Sequence, residues 1–330
     1  MARNEIFDFY KALLMFGVVW GHTITHFGGG GISCNVTWLL RLYDMPFFML
    51  ISGYFLRRSM QKYNYRHLLL SKVTTILFPT VLWSLIISRG TSILGYYFLY
   101  AVFLSSVIIV LVEEFANKTV IKYLLYFLLI SLLYLIDYKP FNLCYLFPFF
   151  LFGFKTDIWQ TNYKMLCFCL FLISICFWND SFVIWKADTN ILHGYKVLGV
   201  NIYRLSIGIV GVVTMKMVFD MLYDYFKKRY PSQLSLISET IGKETLGIYI
   251  FHVFIVTILL KNLVKLLNSK LGYNPFLVNE KFLVFFITPL FTILALFISY
   301  KFVSICKKNQ YFKFLWGVRI NNIFKLSRNE

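Results

Sequence analysis

Residues 9–27 read FYKALLMFGVVWGHTITHF, an apolar run whose readily charged side chains are Lys11, His22 and His26. A helix needs about 20 mostly apolar residues to cross a bilayer, and this run is close to that length. With Lys11 and His22 inside it and no Ala-x-Ala-like cleavage site behind it, it reads as a retained first span and not as a signal peptide. Runs of the same kind recur along the chain. The 330 residues are 59% hydrophobic and 15% charged, more apolar surface than one water-soluble core could bury. The spacing predicts spans at 9–27, 36–56, 69–88, 92–112, 120–136, 141–159, 165–185, 197–219, 245–267 and 282–305. The expected fold is therefore an all-α integral membrane bundle of about ten transmembrane helices, with residues 1–330 forming a single membrane-embedded domain. Neither an internal repeat nor a linker divides it, and the longest polar stretches, 186–196 and 224–244, are too short to fold alone.

A net charge of +18 would point to nucleic acid in a soluble protein. Here the cations crowd alternate loops beside apolar runs, as cytoplasmic loops of membrane proteins do, so the partner is the lipid bilayer and no nucleic acid is expected. Arg57, Arg58, Lys62, Arg66 and Lys72 fill the second loop, Lys227, Lys228 and Arg229 the eighth, and Lys307, Lys308 and Lys313 the tail. Those segments, and with an even span count both termini, are expected on the cytoplasmic side. The first loop, with Gly28 to Gly31, lacks Lys and Arg before Arg41 and fits the outside. Lys261, Lys265, Lys270 and Lys281 flank the ninth loop, which the count also places outside, against the charge rule. Cys167, Cys169, Cys176 and Cys306 lie in apolar runs and read as small core residues, not as a disulfide framework.

Ionisable groups inside spans are costly and so tend to face a protein interior and to serve function. On the first helix Asp8, Lys11, Met15, Val18, His22 and His26 follow three- and four-residue steps and share a face. Lys11 to His22 is eleven steps, which at about 100° each return to nearly the same azimuth after about 16 Å of rise. The plain reading is that Lys11 snorkels, Asp8 pairs with it and His22 makes one interhelical hydrogen bond; three such groups on one face favour a working site. His22 and His26 are spaced as metal ligands, but no acidic or thiol third ligand accompanies them, so metal is not expected. Gly17 and Gly21 form a small-xxx-small pair for close packing. Asp44 and Pro46 interrupt the second span, where proline frees a backbone carbonyl that protein or water must meet. His252 on the ninth span reads as a structural histidine.

The segment RNEIFDFYKALLMFGVVWGH, with Arg3, Asp8, Lys11 and His22, resembles the opening of the acyltransferase-3 family, bacterial membrane acyltransferases that modify surface glycans. DMPFFMLISGYF at Asp44 to Phe55, YLFPFFLFGF at Tyr145 to Phe154 and TLGIYIFH at Thr245 to His252 are similar, in order, to later elements of that family. Asp44 stands where many members carry histidine, and Thr75 stands where the family often has the second of two basic residues, Lys72 holding the first place.

The resemblance implies ten helices in the bacterial cytoplasmic membrane and an O-acyltransferase. Acetyl-CoA or another acyl-CoA would be the donor substrate, no cofactor would be tightly bound, and a hydroxyl of a cell-surface or lipid-linked polysaccharide would be the acceptor. It implies His22 as general base or transient acyl carrier, with Asp8 and Lys11 completing the catalytic set. Arg57, Arg58, Arg66 and Lys72 would receive the donor's phosphates, although orientation in the membrane alone accounts for them. Asp44 and His252 read as acceptor-side or structural groups. The competing reading is a transporter or flippase of a glycan or lipid-linked intermediate, which would usually show internal repeats; a structural or sensory protein gives no reason for the shared polar face of the first helix.

Overall fold

The computed structural model describes residues 5–27, 31–88, 96–136, 142–156, 164–176, 195–260, 262, 269, 279–309 and 315–316. Among the described residues helix accounts for 93% and there is no strand, so the fold is all-α. The elements are α1 (Glu5–Phe27), α2 (Gly31–Met60), α3 (Tyr65–Ile87), α4 (Tyr97–Phe115), α5 (Thr119–Ile136), α6 (Leu143–Lys155), α7 (Lys164–Cys176), α8 (Tyr195–Arg229), α9 (Pro231–Ile237), α10 (Thr245–Phe254) and α11 (Glu280–Lys308). Wider π-helical turns occur at Val73–Leu77 in α3, Ser238–Gly242 after α9, Ile255–Leu260 after α10, and Leu283–Ile287 in α11.

Among the described residues five helices are long and apolar enough to cross a membrane, in the segments Asn35–Met60, Tyr65–Ile87, Tyr97–Phe115, Val197–Arg229 and Glu280–Lys308. α1 has 23 residues, about 34 Å of rise, enough to span; its polar stripe, not its length, keeps it out of that set. The expected spans 120–136, 141–159 and 245–267 correspond to shorter apolar helices, Thr119–Leu135, Leu143–Lys155 and Thr245–Phe254. The expected loop at Gly28 to Gly31 is shorter than the hydropathy indicates, because α2 already begins at Gly31. Likewise α8 continues to Arg229 instead of ending at 219. Hydropathy falls there, but Tyr223 and Phe226 pack on Phe9 at 5.8 and 5.9 Å between ring centroids, so the helix keeps an apolar face after it ceases to be apolar all round.

The chain forms two compact units, Met1–Asp44 with Val218–Gly317 and Met45–Met217 with Val318–Glu330. In the first, α1 is the central element, burying Phe9, Leu14, Met15, Val19 and Ile24 almost completely. One end of this unit is tied by Tyr10 donating to Asp220, Tyr223 donating to Glu5 at 3.3 Å and Lys307 pairing with Glu244. The opposite end is tied by the backbone N–H and the hydroxyl of Ser33, both donating to Glu280 Oε1 at 2.8 and 2.9 Å. The start of α2 and the start of α11 therefore lie at the same end of this unit; Lys261, Lys265 and Lys270 lie outside the described residues.

In the second unit α2 and α6 cross with backbones in contact. A Cβ added to Gly53 would lie 2.0 Å from the Phe150 carbonyl oxygen, and one added to Gly153 would lie 2.0 Å from that of Leu50. Glu113 at the end of α4 joins three helices: Lys122 of α5 and Lys155 of α6 each approach it at 2.6 Å, and the Tyr126 hydroxyl donates at 2.8 Å. Replacing Glu113 by Ala leaves two mostly shielded ammonium groups without this carboxylate. The purified protein is then expected to lose about 1–3 kcal/mol of stability, read as a lower thermal midpoint in detergent.

Candidate active site

The polar face of α1 divides by depth. Near its start Asp8 and Lys11, one turn apart, form an ion pair at 2.6 Å. Gly242 approaches the same stretch of α1: a Cβ there would lie 2.0 Å from the Asp8 carbonyl oxygen, so the Ser238–Gly242 turn meets the α1 backbone directly. Three further turns along the same face is His22. The structure thus keeps Asp8 and Lys11 together and leaves His22 at another level, about 16 Å of helical rise from Lys11.

What His22 meets is His252. The two imidazoles lie 5.3 Å apart between ring centroids, tilted by 49°. His252 is fully buried, its Nδ1 is 3.1 Å from the Ile248 carbonyl, and Tyr249 packs on it at 5.5 Å. The rotation of α1 that turns His22 toward α10 is fixed by hydroxyl contacts to α11 on either side of it in sequence. Trp20 Nε1 donates to Thr288 Oγ1 at 2.9 Å, and Thr292 Oγ1 donates to Thr23 Oγ1 at 3.3 Å. Arg41 of α2 and His26 lie within electrostatic reach of His22.

Asp44 is buried in α2 next to Tyr43, whose hydroxyl packs over Gly17. Arg57, Arg58, Arg66 and Lys72 belong to the second unit, around the α2–α3 turn. Arg58 stacks 4.7 Å over Tyr54, and the Nε of exposed Arg66 donates to Tyr65 at 3.1 Å. At the C-terminus of α2, Arg57 and Arg58 also complement the helix dipole.

Two buried cations were not singled out from the sequence. Arg204 and Lys216 in α8 are 3% and 4% exposed, and the Arg204 guanidinium lies 4.9 Å over the Tyr145 ring. The rule that picked out His22, an ionisable residue within an apolar run, would have found both. The first unit also has an apolar cavity of about 490 Å³ between α1, the α9 region and α11, with Phe16, Ile241, Phe297 and Lys301 among its lining. Neither His22 nor His252 lines it. Its walls suit an apolar chain better than a sugar or a nucleotide.

A family model described as an acyltransferase domain, acyltransferase-3, matches residues 4–303. The chain belongs to the acyltransferase-3 family. No curated protein and no solved structure matches it. Membership of the acyltransferase-3 family carries acyltransferase activity, and with the apolar helices it makes the chain a multi-pass membrane protein. The match extends across α1, α10 and most of α11, so the elements that build the two-histidine centre are all family elements.

Proposed function

We propose that this acyltransferase moves an acyl group, acetyl by the family resemblance, from acyl-CoA to a hydroxyl of a cell-surface or lipid-linked polysaccharide, with His22 as general base. The observation that carries the reading is the placement of His22 on the interior face of α1 against His252, in a chain whose family performs acyl transfer. The His22 imidazole takes the proton of the acceptor hydroxyl as its oxygen attacks the thioester carbonyl. The carbon–sulfur bond then breaks, the thiolate leaves as coenzyme A, and it recovers that proton from the imidazolium. Such proton transfer contributes about 10²–10⁴ in rate. Asp8 and Lys11 serve this centre at a distance. Their ion pair lies where the Ser238–Gly242 turn rests on the α1 backbone, and Lys11 offers a cation to the phosphates or pantetheine of a donor entering from that end.

The chain crosses the bacterial cytoplasmic membrane about ten times in this reading. The basic end, with Lys227–Arg229 and Lys307–Lys308, faces the cytoplasm, as the positive-inside rule requires. Arg57, Arg58, Arg66 and Lys72 would meet the donor's phosphates through charge-assisted contacts. Arg58→Ala with Arg66→Ala is accordingly expected to raise KM for acetyl-CoA about tenfold at nearly unchanged kcat. Equal kinetics in wild type and double variant would reduce these residues to topology signals.

The reading is tested by measuring alkali-labile acetyl on surface glycans of a deletion strain with and without the gene, together with release of free coenzyme A from acetyl-CoA by its isolated membranes. Acetyl esters and thioester consumption that both follow the gene support it. Thioester consumption that does not follow the gene favours the transporter reading. Radiolabel from acetyl-CoA trapped on His22 in the absence of acceptor would replace the general base with an acyl-histidine.

A further inference from the structure

The mechanism leaves His252 without a role, yet its surroundings fix the tautomer of its neutral ring. The Ile248 carbonyl can only accept, so in the neutral ring Nδ1 carries the hydrogen and donates to it at 3.1 Å. Nε2 is then a lone-pair acceptor. It is buried, with no hydrogen-bond partner among the described residues. A buried acceptor left unpaired is destabilising, so its retention calls for a use. The ring within reach is that of His22, 5.3 Å away between centroids, close enough that a side-chain rotation brings nitrogen to nitrogen. Tyr249 and Ile248 belong to the helix of His252 itself; among the described residues the ring contact that His252 makes with another helix is the one with His22.

We propose that His252 is a positioning residue for His22: its Nε2 accepts the N–H of His22, which fixes the tautomer of that ring and leaves the other nitrogen bare toward the acceptor hydroxyl. When His22 takes the acceptor's proton, its remaining N–H stays bonded to His252, and the proton taken up returns to the departing thiolate. His252 neither gains nor loses a proton overall. The inference rests on His22 being the general base. It gives the late histidine of TLGIYIFH a function that packing alone would not need.

Two substitutions separate a positioning role from a structural one. His252→Phe keeps a planar ring without an acceptor, whereas His252→Gln returns an oxygen or nitrogen near the Nε2 position. With acetyl-CoA as donor and membranes bearing the surface glycan as acceptor, His252→Phe is expected to lower kcat about 10–100-fold at unchanged KM, the usual loss when an orienting partner is removed. His252→Gln is expected to recover much of that loss. In full-length protein with ¹⁵N-labelled histidine, of which there are five, the His22 resonances are expected to show one neutral tautomer in wild type and a mixture in His252→Phe. That measurement needs no turnover. Wild-type kcat in His252→Phe, equal loss in the Phe and Gln variants, or a His22 tautomer ratio that neither variant moves would each overturn the proposal. His22→Ala keeps the two readings apart: an active His22→Ala enzyme defeats the general base itself, whereas an inactive one beside a fully active His252→Phe defeats only the role given to His252.

Discussion

Membranes carrying His22→Ala at wild-type abundance are expected to lose the acyl ester, with turnover falling about 10²–10⁴-fold, the contribution of a general base. The expectation follows from what the substitution leaves in place. The anchors of α1 on either side, Trp20 to Thr288 and Thr23 to Thr292, do not involve the imidazole, and neither does the Asp8–Lys11 pair. A truncated side chain at this position should therefore remove chemistry without unseating the helix. His67→Ala, in the second unit beside Tyr63, is the matched control and is expected to retain activity. The readout is alkali-labile acetyl per cell, normalised to protein in the membrane. Retention of wild-type acetylation in His22→Ala would remove His22 from the reaction.

The largest expected effect on folding belongs to Gly153→Val. Its Cβ would lie 2.0 Å from the Leu50 carbonyl oxygen and 2.7 Å from the carbonyl carbon, so backbone, not a movable side chain, stands in the way. Gly53 makes the reciprocal contact with Phe150, and the two glycines together let α2 and α6 touch. Without a hydrophobic force between helices in lipid, such close approach supplies much of their association. Overpacking a core that can yield costs about 1–3 kcal/mol. This crossing cannot yield without separating two helices, so the variant is expected to disappear from the membrane fraction. Gly199→Ala is the contrast. Nothing lies within 4 Å of a Cβ there, and alanine is favoured over glycine inside a helix by about 1 kcal/mol, so its abundance and thermal midpoint should hold or rise. Equal accumulation of the Gly153→Val and Gly199→Ala proteins would mean that the α2–α6 contact is dispensable.

The candidate site was partly legible. His22 stood out because an imidazole in an apolar run is expensive wherever it sits. Asp8 and Lys11 stood out because a three-residue step fixes their meeting within one helix, and the 2.6 Å pair follows from local geometry alone. His252 was visible as an ionisable residue but read as structural, since its meaning depends on a ring 230 positions earlier in the chain. The threonines at 288 and 292 carried no signal, being ordinary hydroxyl residues in an apolar helix. Arg204 and Lys216 carried a signal that was passed over.

The sequence by itself determined that the chain is an all-helical membrane protein, because hydropathy over about 20 residues and side-chain spacing along one helix are properties of adjacent residues, and its ordered motifs carried the resemblance to the acyltransferase-3 family that the family match shows. It also marked the polar face of α1. Tertiary structure alone decided that His22 meets His252, and that the Ser238–Gly242 turn rests on the Asp8 backbone. It also supplied the contact of Ser33 with Glu280 that ties the start of α2 to the start of α11. The physical reason is the same in each case. A helix's periodicity fixes which of its own residues share a face, but which partner that face meets depends on packing between segments far apart in the chain, and no spacing within one segment encodes it.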